Sequence, residues 1–105
     1  MDEKKLIGLL GLSVRARQAT FGQDGCLKAI RTGKAAVVLV DEDASPATRE
    51  KYEDACRHND VPLVMLPEGS IQQASGRPGV AMAIAPGGLA QQICTLSGID
   101  AGKSK

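Results

Sequence analysis

Apolar residues follow two alternating rhythms. Over residues 3–14, Leu6, Leu9, Leu10 and Val14 recur at helical spacing, which predicts an amphipathic helix covering one side of a core. Residues 35–40, AAVVLV, break that rhythm with an unbroken apolar run rich in β-branched side chains, the mark of a strand buried on both faces. VPLVML (61–66) and VAMAIA (80–85) repeat the character, so three interior strands are expected. Ala19, Thr20 and Phe21 add a minimal fourth strand.

Helical patterning fills the intervals. Gly22 supplies a turn after Phe21, and Asp24 falls near the positive end of the helix that follows, where a carboxylate is favourable by about 0.3–1 kcal/mol. Cys26, Ala29 and Ile30 share its inward face, Lys28 and Arg31 lie on another side, and Gly33 ends it. Ser45 can cap a third helix with Pro46 at its first position; Tyr52, Ala55 and Cys56 fall on one face, and His58 and Asn59 close it. Residues 68–75 allow a short helix. Leu89, Ile93 and Leu96 mark a last one after the Pro86-Gly87-Gly88 turn. Helices alternating with buried strands predict an α/β protein: a single three-layer α/β/α sandwich over residues 1–96 with a mixed sheet of about four strands. The small, polar segment 97–105 is expected to be a disordered tail.

Length fits that architecture. A chain of 105 residues has room for one core, removing roughly two thirds of its unfolded surface from water. The apolar run near the start, LIGLLGL, is interrupted by Gly8 and Gly11 and preceded by acid before base, which matches neither a signal peptide nor a membrane span. A cytoplasmic location without membrane partners is expected. Three separated cysteines, Cys26, Cys56 and Cys94, with no CxxC pair, read as reduced, buried thiols.

Charge and motifs narrow the chemistry. Thirteen basic against twelve acidic residues leave a net charge of +1, so attraction to an anionic partner depends on where the charges sit. A P-loop needs GxxxxGK followed by Ser or Thr; GQDGCLK has an aspartate inside the loop and no hydroxyl after Lys28. No GxGxxG follows a buried strand. His58, the one histidine, ends a helix, where its ordinary role is to meet terminal carbonyls, and Cys56 with His58 makes no metal-ligand set. Asp41, Glu42 and Asp43 could chelate Mg²⁺, but an acidic loop before a helix N-terminus is also ordinary dipole compensation, the favoured reading. No catalytic set, metal or cofactor is therefore expected. A basic surface remains: Arg15, Arg17, Lys28, Arg31, Lys34 and Arg77. With one Phe, one Tyr and no Trp, an RNA target would be read by its folded shape and not on a stacking platform.

The order of motifs carries a resemblance. GLLGL, then G-x-x-x-x-x-K-A-I-x-x-G-K-A, a V-V-L-V strand, D-A-S-P-x-T and N-D-V-P together resemble the bacterial YlxQ-type proteins, within the ribosomal "L-seven-Ae" family of kink-turn RNA binders, over residues 5–95. The resemblance implies a ribosomal L-thirty-e-like fold and non-catalytic binding of structured, kink-turn-like or ribosomal RNA, associated with translation. It implies contacts from the helix start Gly22, Gln23, Asp24, Gly25 and Lys28, where Asp24 stands for the family's Asn and Gly25 for its Glu. Arg31 and Lys34 would neutralise backbone charge. From a second loop, Arg77 would meet the RNA and Val80 would pack on a flipped-out nucleotide. A protein-interaction module on the same fold is the alternative, motivated by the near-neutral charge and by Asp24, Gly25 and Ser45.

Overall fold

The computed structural model describes residues 3–76 and 79–98. In chain order the elements are α1 (Glu3–Arg15), β1 (Ala19–Phe21), α2 (Gln23–Arg31), β2 (Val37–Asp41), α3 (Pro46–His58), β3 (Leu63–Leu66), α4 (Ser70–Ser75), β4 (Ala81–Ile84) and α5 (Gly88–Leu96). The strands form one mixed sheet in the order β1-β4-β2-β3, with β2 parallel to β3 and both β1 and β2 antiparallel to β4. All but the first two residues of the 97–105 segment lie outside the described residues.

Strand alternation sorts the core into two layers. Val37 and Leu39 of β2, with Met82 and Ile84 of β4, meet Leu6 and Leu10 of α1, Ile71 of α4 and Ile93 of α5. Val38, Val40, Ala81 and Ala83 point the other way, onto Cys26, Ala29 and Ile30 of α2 and Tyr52 and Cys56 of α3. Each large side chain fully withdrawn from water contributes roughly 1.5–3 kcal/mol. The α2 side of the sheet is lined largely by small residues, among them Cys26, Ala29, Ala81 and Ala83. Ser45 caps α3 as its sequence predicts, its Oγ accepting from the Thr48 amide at 3.2 Å.

The number of interior strands differs from expectation. Only β4 and β2 are interior; β3 is an edge, buried at Val64 and Leu66 and half-buried at Leu63 and Met65. An apolar run reports side chains withdrawn from water on both faces, which core packing on either side of β3 achieves. It does not report a hydrogen-bonding neighbour on each edge.

The sheet also fixes which loops meet. Register pairs Phe21 with Met82, Val40 with Ala81 and Asp41 with Leu66. The last residues of β1, β2 and β3 and the first of β4 therefore share one end of the sheet. Arg15 and Arg17 precede β1 and lie at the other end. Among the described residues no helix is long and apolar enough to cross a membrane.

Candidate nucleic-acid interface

At the shared end, β1 passes into α2 through one residue. Gly22 has φ +86°, a left-handed value, and a Cβ there would meet nothing within 4 Å. Backbone geometry, and not crowding, calls for glycine. The first intrahelical bond runs from the Cys26 amide to the Gly22 carbonyl at 2.9 Å, which leaves the amides of Gln23, Asp24 and Gly25 without partners inside the helix. No side chain caps this end. The helix dipole and three outward amides thus favour an acceptor, and Asp24 in the first turn already answers part of that field.

Beneath the helix start, packing is tight and apolar. Cys26 is fully buried and its Sγ donates to the Thr20 carbonyl at 3.2 Å, tying α2 to β1. Burial pushes the Cys26 thiol up from its ordinary value, opposed by a hydrogen bond with Tyr52, and burial likewise pushes the Tyr52 hydroxyl up. A Cβ on Gly25 would stand 3.1 Å from Thr20 Cγ2, so a side chain at this position would press on a neighbouring methyl.

Between α2 and the segment entering β4 lies a recess of about 240 Å³. Phe21, Gly22 and Gln23 form one wall, Thr48 and Tyr52 of α3 another, and Gly79, Val80 and Ala81 the third. Phe21 and Tyr52 are the chain's only aromatic residues, and both border this space. Sequence reasoning set aromatic contacts aside because they were few. Their coincidence at one recess was not readable, since Tyr52 comes from α3, across the sheet end.

The third wall is held by Asp41, and here the acidic loop proves different from expectation. Asp41 is buried, at 1% exposure. Its Oδ1 accepts from the Asp43 amide at 2.9 Å, and its Oδ2 accepts from the Gly69 amide at 2.9 Å and the Ile71 amide at 3.5 Å. The carboxylate therefore compensates the start of α4, not that of α3, to which its loop leads. Its own amide donates to the Val80 carbonyl at 2.7 Å. One residue thus fixes both ends of the 76–80 segment: α4, which leads into it, and Val80, which leaves it.

The structure gathers some of the sequence-predicted residues and separates others. Gly22, Gln23 and Val80 line the recess; Asp24 is exposed on the first turn of α2, and Lys28 is exposed one turn further on. Arg31 is at the opposite end of α2, about 12 Å from Gln23 along the axis, and exposed Lys34 follows it. Those two extend a track along the helix and do not converge on its mouth. Arg77 lies outside the described residues. Among the described residues no group of three or more His, Cys, Asp or Glu is placed to hold a metal ion. Cys56 is buried while His58 is exposed, with Nδ1 3.1 Å from the Asp54 carbonyl, so the two do not converge.

A three-layer mixed α/β protein with an uncapped helix start facing a recess at one sheet end is the class defined by fold and site. The chain belongs to the ribosomal protein L7Ae/L30e/S12e/Gadd45 family, whose model matches residues 4–93. It is 36% identical over 90 residues to the RNA-binding protein YlxQ of Bacillus subtilis, covering 84% of this chain and 90% of that one. It is 33% identical over 92 residues to the RNA-binding protein YlxQ of Enterococcus faecium, covering 87% and 89%. Among solved structures, a protein of unknown function from Bacillus halodurans superimposes with a TM-score of 0.85 at 27% identity, covering 90% of this chain and 97% of that one. The Giardia lamblia 15.5kD RNA binding protein shares the fold, with a TM-score of 0.77 at 20% identity and coverage of 90% and 86%.

Proposed function

We propose that this chain is a non-catalytic binder of structured RNA, acting through the mouth of α2 and the recess beside it. The observation that carries the reading is the meeting of Gly22, Gln23, Tyr52 and Val80 from three separate segments around a single recess at an uncapped helix start. Membership of a family whose YlxQ members are named RNA-binding proteins supports it.

The chemistry follows from the groups present. Amides of Gln23, Asp24 and Gly25 donate to acceptors on a base edge or to phosphate oxygens. Lys28, one turn on, neutralises backbone charge, and Arg31 and Lys34 continue that track. The recess takes a base splayed out of its stack, with Phe21 and Val80 as apolar contacts. Asp24 differs in sign from these groups. As an acceptor it can take a hydrogen bond from a guanine or cytosine amine, and it repels phosphate, so it selects where the helix mouth sits on the RNA.

A bent stem with unpaired nucleotides, of the kink-turn or ribosomal kind, offers both the splayed base and the phosphates. We place the protein with ribosomal RNA in the cytoplasm, in association with translation. Electrophoretic mobility shifts with a kink-turn stem test this. Lys28→Ala is expected to weaken binding about tenfold and to lower the slope of log affinity against log salt by about one. Unchanged affinity would remove the site. No retention of any structured RNA at micromolar protein in low salt would favour a protein-interaction module, to which the exposed Asp24 carboxylate and the absence of a side chain at Gly25 also lend themselves.

A further inference from the structure

Charge is divided between the two ends of the sheet. The loops and helix starts around the α2 mouth carry Asp24, Glu42, Asp43 and Glu68, all exposed, with Arg49 half-buried. At the opposite end Arg15, Arg17, Arg31 and Lys34 are exposed; Arg57 is paired there with Asp54, and Asp60 lies on the β3 edge. A net charge of +1 thus covers one acidic end and one basic end.

Geometry brings two of the basic loops together. The Ala85 amide donates to the Gln18 carbonyl and the Ala36 amide to the Ile84 carbonyl, each at 2.8 Å. The loops holding Arg17 and Lys34 therefore flank the end of β4, and the strands they lead into, β1 and β2, stand about 10 Å apart across it. From there the chain enters α5, which has no side-chain cap, so the positive pole of that helix adds to the field.

The fold does not account for these cations. Arg15 and Arg31 sit in last helical turns, where they answer the dipoles of α1 and α2; that effect fades within the turn, and Arg17 and Lys34 lie beyond it. Arg17 has φ +61°, a left-handed value that favours glycine, and the matching position after α2 is Gly33 at +75°. Among the described residues, the side chains of Arg17, Arg31 and Lys34 make no hydrogen bond or ion pair. An arginine at position 17 therefore costs backbone strain that its own contacts do not return.

We propose that Arg17 and Lys34, with Arg15 and Arg31 beside them, form a second nucleic-acid surface that holds the phosphate backbone of a fully paired RNA segment. The inference rests on the reading of this chain as an RNA binder, not on the α2 mouth. Phe21 and Tyr52, the chain's aromatic residues, both border the recess at the other end, so the basic end offers charge without a stacking partner. Such a surface suits a regular stem, met through its backbone. Lys34 closes the track from Lys28 and carries the RNA surface round to Arg17. The acidic mouth then meets bases and the basic end meets phosphates.

The test is fluorescence-anisotropy binding of the full chain to an RNA duplex with no bend and no unpaired nucleotide, across a salt series. The unaltered chain should bind at low salt. Arg17→Gln with Lys34→Gln should weaken binding about tenfold and lower the slope of log affinity against log salt by about two, with far-ultraviolet circular dichroism unchanged. Lys28→Ala should cost duplex affinity no more than about threefold, because its charge is screened at that distance. Arg17→Gly alone should weaken duplex binding while its urea midpoint holds or rises, since glycine suits that backbone. No duplex binding at low salt, equal binding by the double variant, an equal loss in Lys28→Ala, or displacement by poly-glutamate as readily as by unlabelled duplex would each overturn the proposal. If kink-turn binding still falls with Lys28→Ala, the α2 mouth stands without this surface; absence of all RNA binding removes both.

Discussion

Two aspartates at the same end of the sheet stand in opposite relations to the fold. Asp41 is buried, and both its oxygens accept backbone amides, reaching 28 residues along the chain to Gly69. Asp24 is exposed on the first turn of α2, beside amides that have no partner in the helix. The same side chain is structural where the protein's own donors saturate it and available to a ligand where they do not. Neither charge nor position in the sequence separates the two roles; the supply of internal donors does.

The largest effect should come from the saturated one. Asp41→Ala takes the acceptor from the amides of Asp43, Gly69 and the buried Ile71, and is expected to cost about 2–4 kcal/mol in urea unfolding. RNA affinity should fall with it, because α4 loses its side-chain anchor beside the recess, although the backbone bond from residue 41 to the Val80 carbonyl remains. If Asp41→Ala unfolds like the unaltered chain, the anchoring role is wrong.

The thiols beneath the site belong to the same inward set. Burial raises the Cys56 thiol from 9.0 to about 11, and burial also raises Cys26, Cys94 and Tyr52. The folded chain therefore keeps a proton that the unfolded chain has lost, so this contribution is whole below pH 9 and disappears as pH climbs from 9 to about 11. The urea midpoint is expected to fall over that interval, and Cys56→Ala should flatten the fall. A midpoint constant from pH 8 to 11 would contradict it.

A smaller effect concerns Gly25 and Thr20, whose Cγ2 lies 3.1 Å from the built Cβ. Gly25→Ala gains helix propensity of about 1 kcal/mol but presses on that methyl. In a Thr20→Ser background the press is gone, so a double-mutant cycle should give a coupling of about 0.5–1 kcal/mol, with Gly25→Ala the more favourable in the serine background. Zero coupling would mean that the neighbour yields freely.

The smallest effect on stability, and the sharpest on function, is expected of Asp24→Asn. Losing a first-turn carboxylate costs about 0.3–1 kcal/mol. Removing its repulsion from phosphate, while restoring the amide of the resembled family, should tighten kink-turn binding severalfold in filter binding at low salt. Weaker binding would mean that the carboxylate itself contacts the RNA.

Much of this was readable in the sequence, where the signal was local. The Ser45–Pro46 cap, the turn at Gly22, the left-handed Gly33 beyond α2 and the fully buried β2 all rest on neighbours within a few residues. What escaped was non-local. An apolar run cannot say that β3 is an edge, an acidic triplet cannot say that Asp41 reaches α4, and scarce aromatics cannot say that Phe21 and Tyr52 meet. The helix-mouth residues were legible through family resemblance, whereas the recess required the register that brings Phe21 opposite Met82 and Val40 opposite Ala81.

Amide chemical-shift mapping during titration with a kink-turn RNA tests the central claim most directly. The account expects the resonances of Gly22, Gln23, Asp24, Gly25 and Val80 to move together and saturate, with Gly8, Leu12 and Thr95 unmoved. Shifts confined to the α1–α5 face, or none at the α2 mouth at saturating RNA, would contradict it.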